Sequence, residues 1–112
     1  AAALLAAKLT DCHVLLKGNI NWMASPNQKV RALGPMSAHL ATAGTGDVLA
    51  GALAALLAAN HVVVLESEEV FLDVIELAVE LHSRAAELAS HDGPVSALDV
   101  AESLRKAIAE IS

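Results

Sequence analysis

An α/β fold with short strands and a hairpin followed by three helices is what this 112-residue chain predicts, on three observations. Apolar runs at 13–16, 21–24 and 29–33 are each too short for a helix and are bounded by turn residues, as strands are. The pair at 21–24 and 29–33 is joined by Ser25-Pro26-Asn27-Gln28, with proline at the second turn position, which reads as a hairpin. From Thr45 onward the apolar residues fall at helical spacing over long stretches.

The elements follow in order. Ala1–Lys8 reads as the end of a helix, closed by Thr10-Asp11. His13–Leu16 reads as a buried strand ending at Gly18, with Cys12 as a small buried residue at its start. Asn21–Ala24 and Lys29–Leu33 are the hairpin strands, and Gly34 to Ala43 is a loop broken by Gly34-Pro35. The helix Thr45–Ala59 is apolar all round, which predicts burial on all sides. A loop is expected after it. Glu68–Ser90 is amphipathic: Phe71, Val74, Ile75, Ala78, Leu81, Ala85 and Leu88 form one stripe, with Asp73, Glu76, Glu80, Arg84 and Glu87 largely off it. Ser67 can cap this helix, and Glu68 and Glu69 suit its positive end. Gly93-Pro94 ends the region, with Asp92 as a turn residue. Ser96-x-x-Asp99 resembles a capping box opening a last helix, whose apolar face is Val100, Leu104, Ala107 and Ile111.

The most informative stretch is Thr42-Ala43-Gly44-Thr45-Gly46-Asp47-Val48-Leu49-Ala50-Gly51. Glycine lets the backbone take positive φ and approach a ligand closely. A helix starting there aims free N–H groups and its positive end into the loop, which makes an anion site. An unpaired carboxylate at that mouth would repel phosphate, so Asp47 reads as a base acting on a substrate hydroxyl. The tetrapeptide alone also fits a tight turn with a dipole-favoured acid in the first helical turn. The third glycine of the dinucleotide fingerprint is missing, and so is the Gly-Lys-Ser/Thr of a P-loop.

Together, Leu15-Leu16-Lys17-Gly18 and the string from Leu40 to Gly51 resemble the C-terminal part of the ADP- or ATP-dependent NAD(P)H-hydrate dehydratases, of the ribokinase-like superfamily. Leu81-His82 and Ser96–Val100 fit that family's closing helices less specifically. The resemblance covers most of the chain and implies the C-terminal part of a ribokinase-like three-layer fold. The complete domain is more than twice as long, so residues 1–112 read as a C-terminal fragment. Lys17-Gly18-Asn19-Ile20-Asn21 matches the family's Lys-Gly-x-x-Thr nucleotide segment, with Asn21 in place of the threonine. On residue type alone, Lys17 is equally a solvated lysine in a β-turn. Gly44, Thr45 and Gly46 would contact nucleotide phosphates, and Asp47 would be both catalytic base and substrate contact. Where many relatives carry an Asn-Pro-Gly-like sequence, this chain has Pro35–Leu40. His39 there is a weaker substrate-contact candidate beside its plainer reading as an ordinary loop histidine.

The resemblance implies hydrated NAD(P)H as substrate and ADP or ATP as co-substrate. Phosphorylation of the ring hydroxyl followed by elimination would restore the ring double bond, with Lys17 holding nucleotide phosphates. The glycine loop would serve a sugar or vitamin-precursor kinase of the superfamily equally well, and a fragment with part of its pocket elsewhere would be a non-catalytic assembly module. The relatives imply a homo-oligomer.

Composition bounds the rest. Seven Lys and Arg against thirteen Asp and Glu give a net charge of −6 without a basic stripe, which excludes a general nucleic-acid surface. One cysteine gives no disulfide framework and suits a reducing, cytoplasmic setting. No His/Cys/Asp/Glu set has metal-ligand spacing, so no structural metal is expected, and a magnesium ion arriving with ATP would bind chiefly through phosphates. The alanine-rich run from Val48 to Leu65 is interrupted by Gly51, Asn60 and His61 and falls short of the about 20 strongly apolar residues a membrane span requires. Hydrophobic residues make up 55% of the chain and aromatic residues 2%, so Ala, Leu and Val must build a core in which helices approach closely.

Overall fold

The computed structural model describes residues 2–91 and 93–111, so the expectation for Asp92 lies outside the described residues. It is an α/β structure with one small antiparallel sheet and several helices, in two compact units, Ala1–Met36 and Ser37–Ser112.

The first unit contains α1 (Ala2–Thr10), β1 (Val14–Leu16), β2 (Asn21–Ala24) and β3 (Val30–Leu33). The strands form a meander in the order β1-β2-β3, with Leu16 opposite Trp22 and Trp22 opposite Ala32. The hairpin turn forms as its residues require. The Gln28 amide donates to the Ser25 carbonyl at 2.9 Å, and the Asn27 amide donates to the Ser25 hydroxyl at 2.9 Å. Gln28 follows at φ +66°, completing a three-residue loop whose left-handed residue matches the strands' twist. Alanines 3, 7 and 24 pack with Leu4 and Val14 to join α1 to the sheet.

β1 does not form the buried strand its apolar run predicts. It is an edge strand with Val14 and Leu15 half-buried and Leu16 exposed. Cys12 is exposed just before it, not buried.

In the second unit a short 3₁₀ turn, Ala38–Ala41, interrupts the expected loop and leads to α2 (Thr45–Ala59), α3 (His61–Glu66), α4 (Glu68–Ser90) and α5 (Ala97–Ile111). Chain 61–66 is therefore helix where the sequence reads as loop. Its Val62, Val63 and Leu65 are exposed. The core comprises Leu81, Ala85, Ala86, Val100 and Ala107, flanked by Leu40, Val48, Leu56, Leu88, Val95 and Leu104. Of α2, only Thr45 and Leu49 are buried. Burial on all sides does not hold, because α2 packs against α4 and α5 along one face while its other small residues face outward.

The caps form as their residues dictate. The Ser67 hydroxyl accepts from the Val70 amide, and Ser96 and Asp99 close a full capping box, the Ser96 amide donating to Asp99 Oδ2 at 2.8 Å and the Asp99 amide to Ser96 Oγ at 3.2 Å. The α4 stripe is rotated from expectation. Leu72, Val79, His82, Ala86 and Ala89 are buried beside Ile75, Ala78, Leu81 and Ala85, while Phe71, Val74 and Leu88 sit at its half-buried margin. On α5, Val100 and Ala107 are buried, but Ile111 is exposed at its end. Arg84 on α4 makes a bidentate pair with Glu110 on α5 at 2.8 and 2.9 Å. Among the described residues, no helix is long and apolar enough to cross a membrane.

Candidate functional site

α2 begins where a glycine is needed. Gly44 is its N-cap at φ +87°, a conformation that L side chains rarely adopt, and a Cβ there would lie 3.1 Å from the Ala97 Cβ. No side chain caps this terminus. The Gly44 carbonyl accepts from the amides of Asp47 and Val48 at 3.1 and 3.4 Å, whereas among the described residues the N–H of Gly46 has no hydrogen-bond partner. That donor is open at the positive end of a 15-residue helix. Asp47 is exposed in the first turn, and its carboxylate has no hydrogen bond or ion pair among the described residues.

Three hydroxyls and one imidazole hold the segment that leads into this terminus. Thr45 Oγ1 lies 2.7 Å from the Leu40 carbonyl and 2.9 Å from that of Thr42. Thr42 Oγ1 lies 3.0 Å from the His39 carbonyl and 3.3 Å from that of Val95. The Ser37 amide donates to Ser83 Oγ at 2.9 Å. His82, 2% exposed, has Nε2 2.8 Å from the Thr45 carbonyl. A carbonyl only accepts, so this nitrogen carries the proton. In the sequence His82 figures only in the Leu81-His82 fit to the family's closing helices and is assigned no role. The signal that marks it is a polar ring at a buried position of the α4 stripe.

His39, Gly44, Thr45, Gly46 and Asp47 thus lie on one continuous segment of the second unit. His39 is exposed in the 3₁₀ turn, and its backbone supports the loop by donating to Ser37 Oγ and accepting from Thr42. Its imidazole has no partner among the described residues.

Lys17, Gly18, Asn19, Ile20 and Asn21 belong to the first unit, the first four in the turn between β1 and β2 and Asn21 at the start of β2. Lys17 to Ile20 are exposed, and Asn21 is buried, its Oδ1 accepting from the Gly18 amide at 3.0 Å. Asn21 therefore closes this turn from within. The Asn19 carbonyl accepts from the Met36 amide at 3.0 Å, and Gly34, at φ +132°, permits that close approach, since a Cβ there would sit 3.2 Å from the same carbonyl.

Among the described residues, no group of three or more His, Cys, Asp or Glu side chains is placed to hold a metal ion. An exposed cavity of about 400 Å³ lies elsewhere, lined by Ala89, Pro94, Asp99, Glu102, Ser103 and Lys106. Asp99 there is held below the usual carboxylate range by the Ser96 amide and hydroxyl, which stabilise its charged form.

A glycine-turned helix terminus with an open N–H and an unpaired acid one turn in has the geometry of an anion site with a base beside it. The NAD(P)H-hydrate dehydratase family model matches residues 1–109, and the chain belongs to that family. It is 35% identical over 98% of its length to the bifunctional NAD(P)H-hydrate repair enzyme Nnr of Corynebacterium glutamicum, and 37% identical over 93% to that of Mycobacterium leprae. The matches cover 21% and 22% of those proteins, so the chain spans about a fifth of the length of the curated relatives it matches. No solved structure matches the chain.

Proposed function

We propose that this chain carries the phosphate loop and catalytic base of an enzyme that dehydrates hydrated NAD(P)H at the expense of ADP or ATP. The observation that carries the reading is the start of α2. Gly44 turns left-handed, the Gly46 N–H is open, and Asp47 stands unpaired beside it. Family membership and the known activity named for the relatives support the substrate class.

In this reading Asp47 takes the proton from the hydroxyl of the hydrated ring as that oxygen attacks the terminal phosphoryl group of the nucleotide. The open N–H of Gly46, at the positive end of α2, stabilises the charge that develops on the transferring group as a fixed, preorganised dipole. The nucleotide departs one phosphate shorter; inorganic phosphate then leaves with the electron pair of the broken carbon–oxygen bond, and loss of a proton from the neighbouring ring carbon restores the double bond. Lys17 and Gly18 retain the nucleotide-contact role that the family motif implies, with Lys17 acting as a point charge. A magnesium ion arriving with the nucleotide would be held chiefly by the nucleotide's own phosphates. The chain is read as the C-terminal part of a ribokinase-like three-layer domain working in the cytoplasm as a homo-oligomer.

The test is recovery of reduced-nicotinamide absorbance from NADPH hydrate with ADP and with ATP, using this chain and the full-length product of its gene. Asp47→Asn preserves the shape of the loop and removes the base, so kcat should fall by about 10²–10⁴-fold. Turnover near wild type in that variant overturns the role of Asp47. Accumulation of a stable phosphorylated product in place of restored NADPH moves the assignment to a kinase of the same superfamily.

A further inference from the structure

We propose that His82 and Ser83 form a positioning clamp that sets the geometry of the Gly44–Asp47 loop, an inference resting on the function proposed above. These neighbours on α4 bond to the two ends of one segment. Ser83 Oγ accepts from the Ser37 amide at 2.9 Å, at the entrance to the 3₁₀ turn, and His82 Nε2 donates to the Thr45 carbonyl at 2.8 Å, in the first turn of α2. One turn of a 23-residue helix therefore brackets the whole stretch from Ser37 to Thr45.

The His82 contact is costly to place and specific in what it fixes. Its ring occupies a core position, 2% exposed, beside Leu81, Ala85 and Ala86. A polar ring buried there costs free energy unless its nitrogens find partners. Its bond to the Thr45 carbonyl comes from the side of α2 and adds to whatever that carbonyl accepts within the helix, so it constrains rotation of the first turn about the helix axis. Asp47 lies two residues on and Gly46 one. Rotation of that turn would swing the carboxylate and the open N–H together, and misplacing catalytic groups by about 1 Å can cost 10²-fold in rate. Supporting hydrogen bonds of this kind keep a reactive side chain in its productive geometry. His82 touches neither substrate nor nucleotide in this scheme. It acts through Thr45.

The test compares His82→Leu, which removes the donor, with His82→Gln, which keeps an amide donor near the position of Nε2, in the full-length product of the gene. Amide hydrogen exchange at Thr45, Asp47 and Val48, whose N–H groups donate to the Thr42 and Gly44 carbonyls, is read first, because it needs no substrate and stands whether or not the dehydratase assignment does. His82→Leu should speed exchange there by about 10-fold relative to wild type, and His82→Gln should restore most of the protection. With turnover measured alongside, kcat should fall by about 10-fold or more in His82→Leu, KM for the nucleotide should change less, and His82→Gln should recover the rate. Unchanged exchange in a folded His82→Leu protein overturns the clamp. If His82→Leu does not fold, Ser83→Ala carries the test, with faster exchange at Ser37–Leu40 expected and unchanged exchange overturning the proposal. Loss of the NADPH-restoring activity in wild type, with the exchange pattern as expected, removes the functional reading and leaves the clamp standing.

Discussion

Gly44 shows how far a single residue type can be read. A glycine between a loop and an apolar run predicts a left-handed helix start, and at φ +87° it makes one. Space makes the requirement stricter, since a Cβ there would press on Ala97 of α5 at 3.1 Å. Gly44→Ala should therefore destabilise the fold by roughly 1–2 kcal/mol from its backbone conformation alone, read as a shifted midpoint in urea denaturation. A midpoint equal to wild type would show that the loop relaxes around the substitution. Other roles were closed to sequence reasoning at this scale. His82 meets a partner 37 residues away, a separation that nothing in local pattern reports. Asn21 looks like a stand-in for a nucleotide-binding threonine, yet its Oδ1 is committed to the Gly18 amide.

Among the elements, the caps were the legible part. The Ser96–Asp99 box forms because both side chains find amides that the helix leaves unpaired, and Ser67 does the same for α4. The box carries a pH dependence whose sign follows from its charge. The Ser96 amide and hydroxyl hold Asp99 below its ordinary range, and the guanidinium of Arg84 does the same for Glu110. Groups with depressed folded values contribute stability that is fully present above the unfolded value, and it is lost as pH falls through the folded one. Thermal stability should therefore decline as pH drops below about 4, and Asp99→Asn should show a shallower decline than wild type across that window. Equal slopes would mean that Asp99 is not among the groups responsible. The burial of α2 was the illegible part. A helix of alanine, leucine and glycine has no polar face to mark its outside, so its pattern cannot distinguish one packed face from several.

For the molecule as a whole, the order of an opening helix, then short strands, then long helices was readable from run length and turn chemistry, and composition foretold the character of the core. Ala78, Ala85 and Ala86 are each 0% exposed on α4, and Ala107 on α5 is 1% exposed. Helices meeting through such small side chains lie close and leave no room to grow. Ala85→Leu should cost about 1–3 kcal/mol through overpacking, checked by calorimetric melting, and a variant as stable as wild type would reveal slack between α4 and its neighbours. The strands' burial was less readable, because a three-stranded sheet has two edges and a short apolar run does not say that it lies on one.

An alanine core also changes what folding must freeze. Leucine or methionine loses rotamer freedom when buried, whereas alanine has almost none to lose. At Ala85, Ala86 and Ala107, docking α4 on α5 therefore restrains mainly backbone torsions, while Leu81 and the flanking leucines carry the rotamer cost of the same core. Substitution pressure at these alanines is one-sided: glycine is the only smaller residue, and every other replacement adds atoms to a buried site.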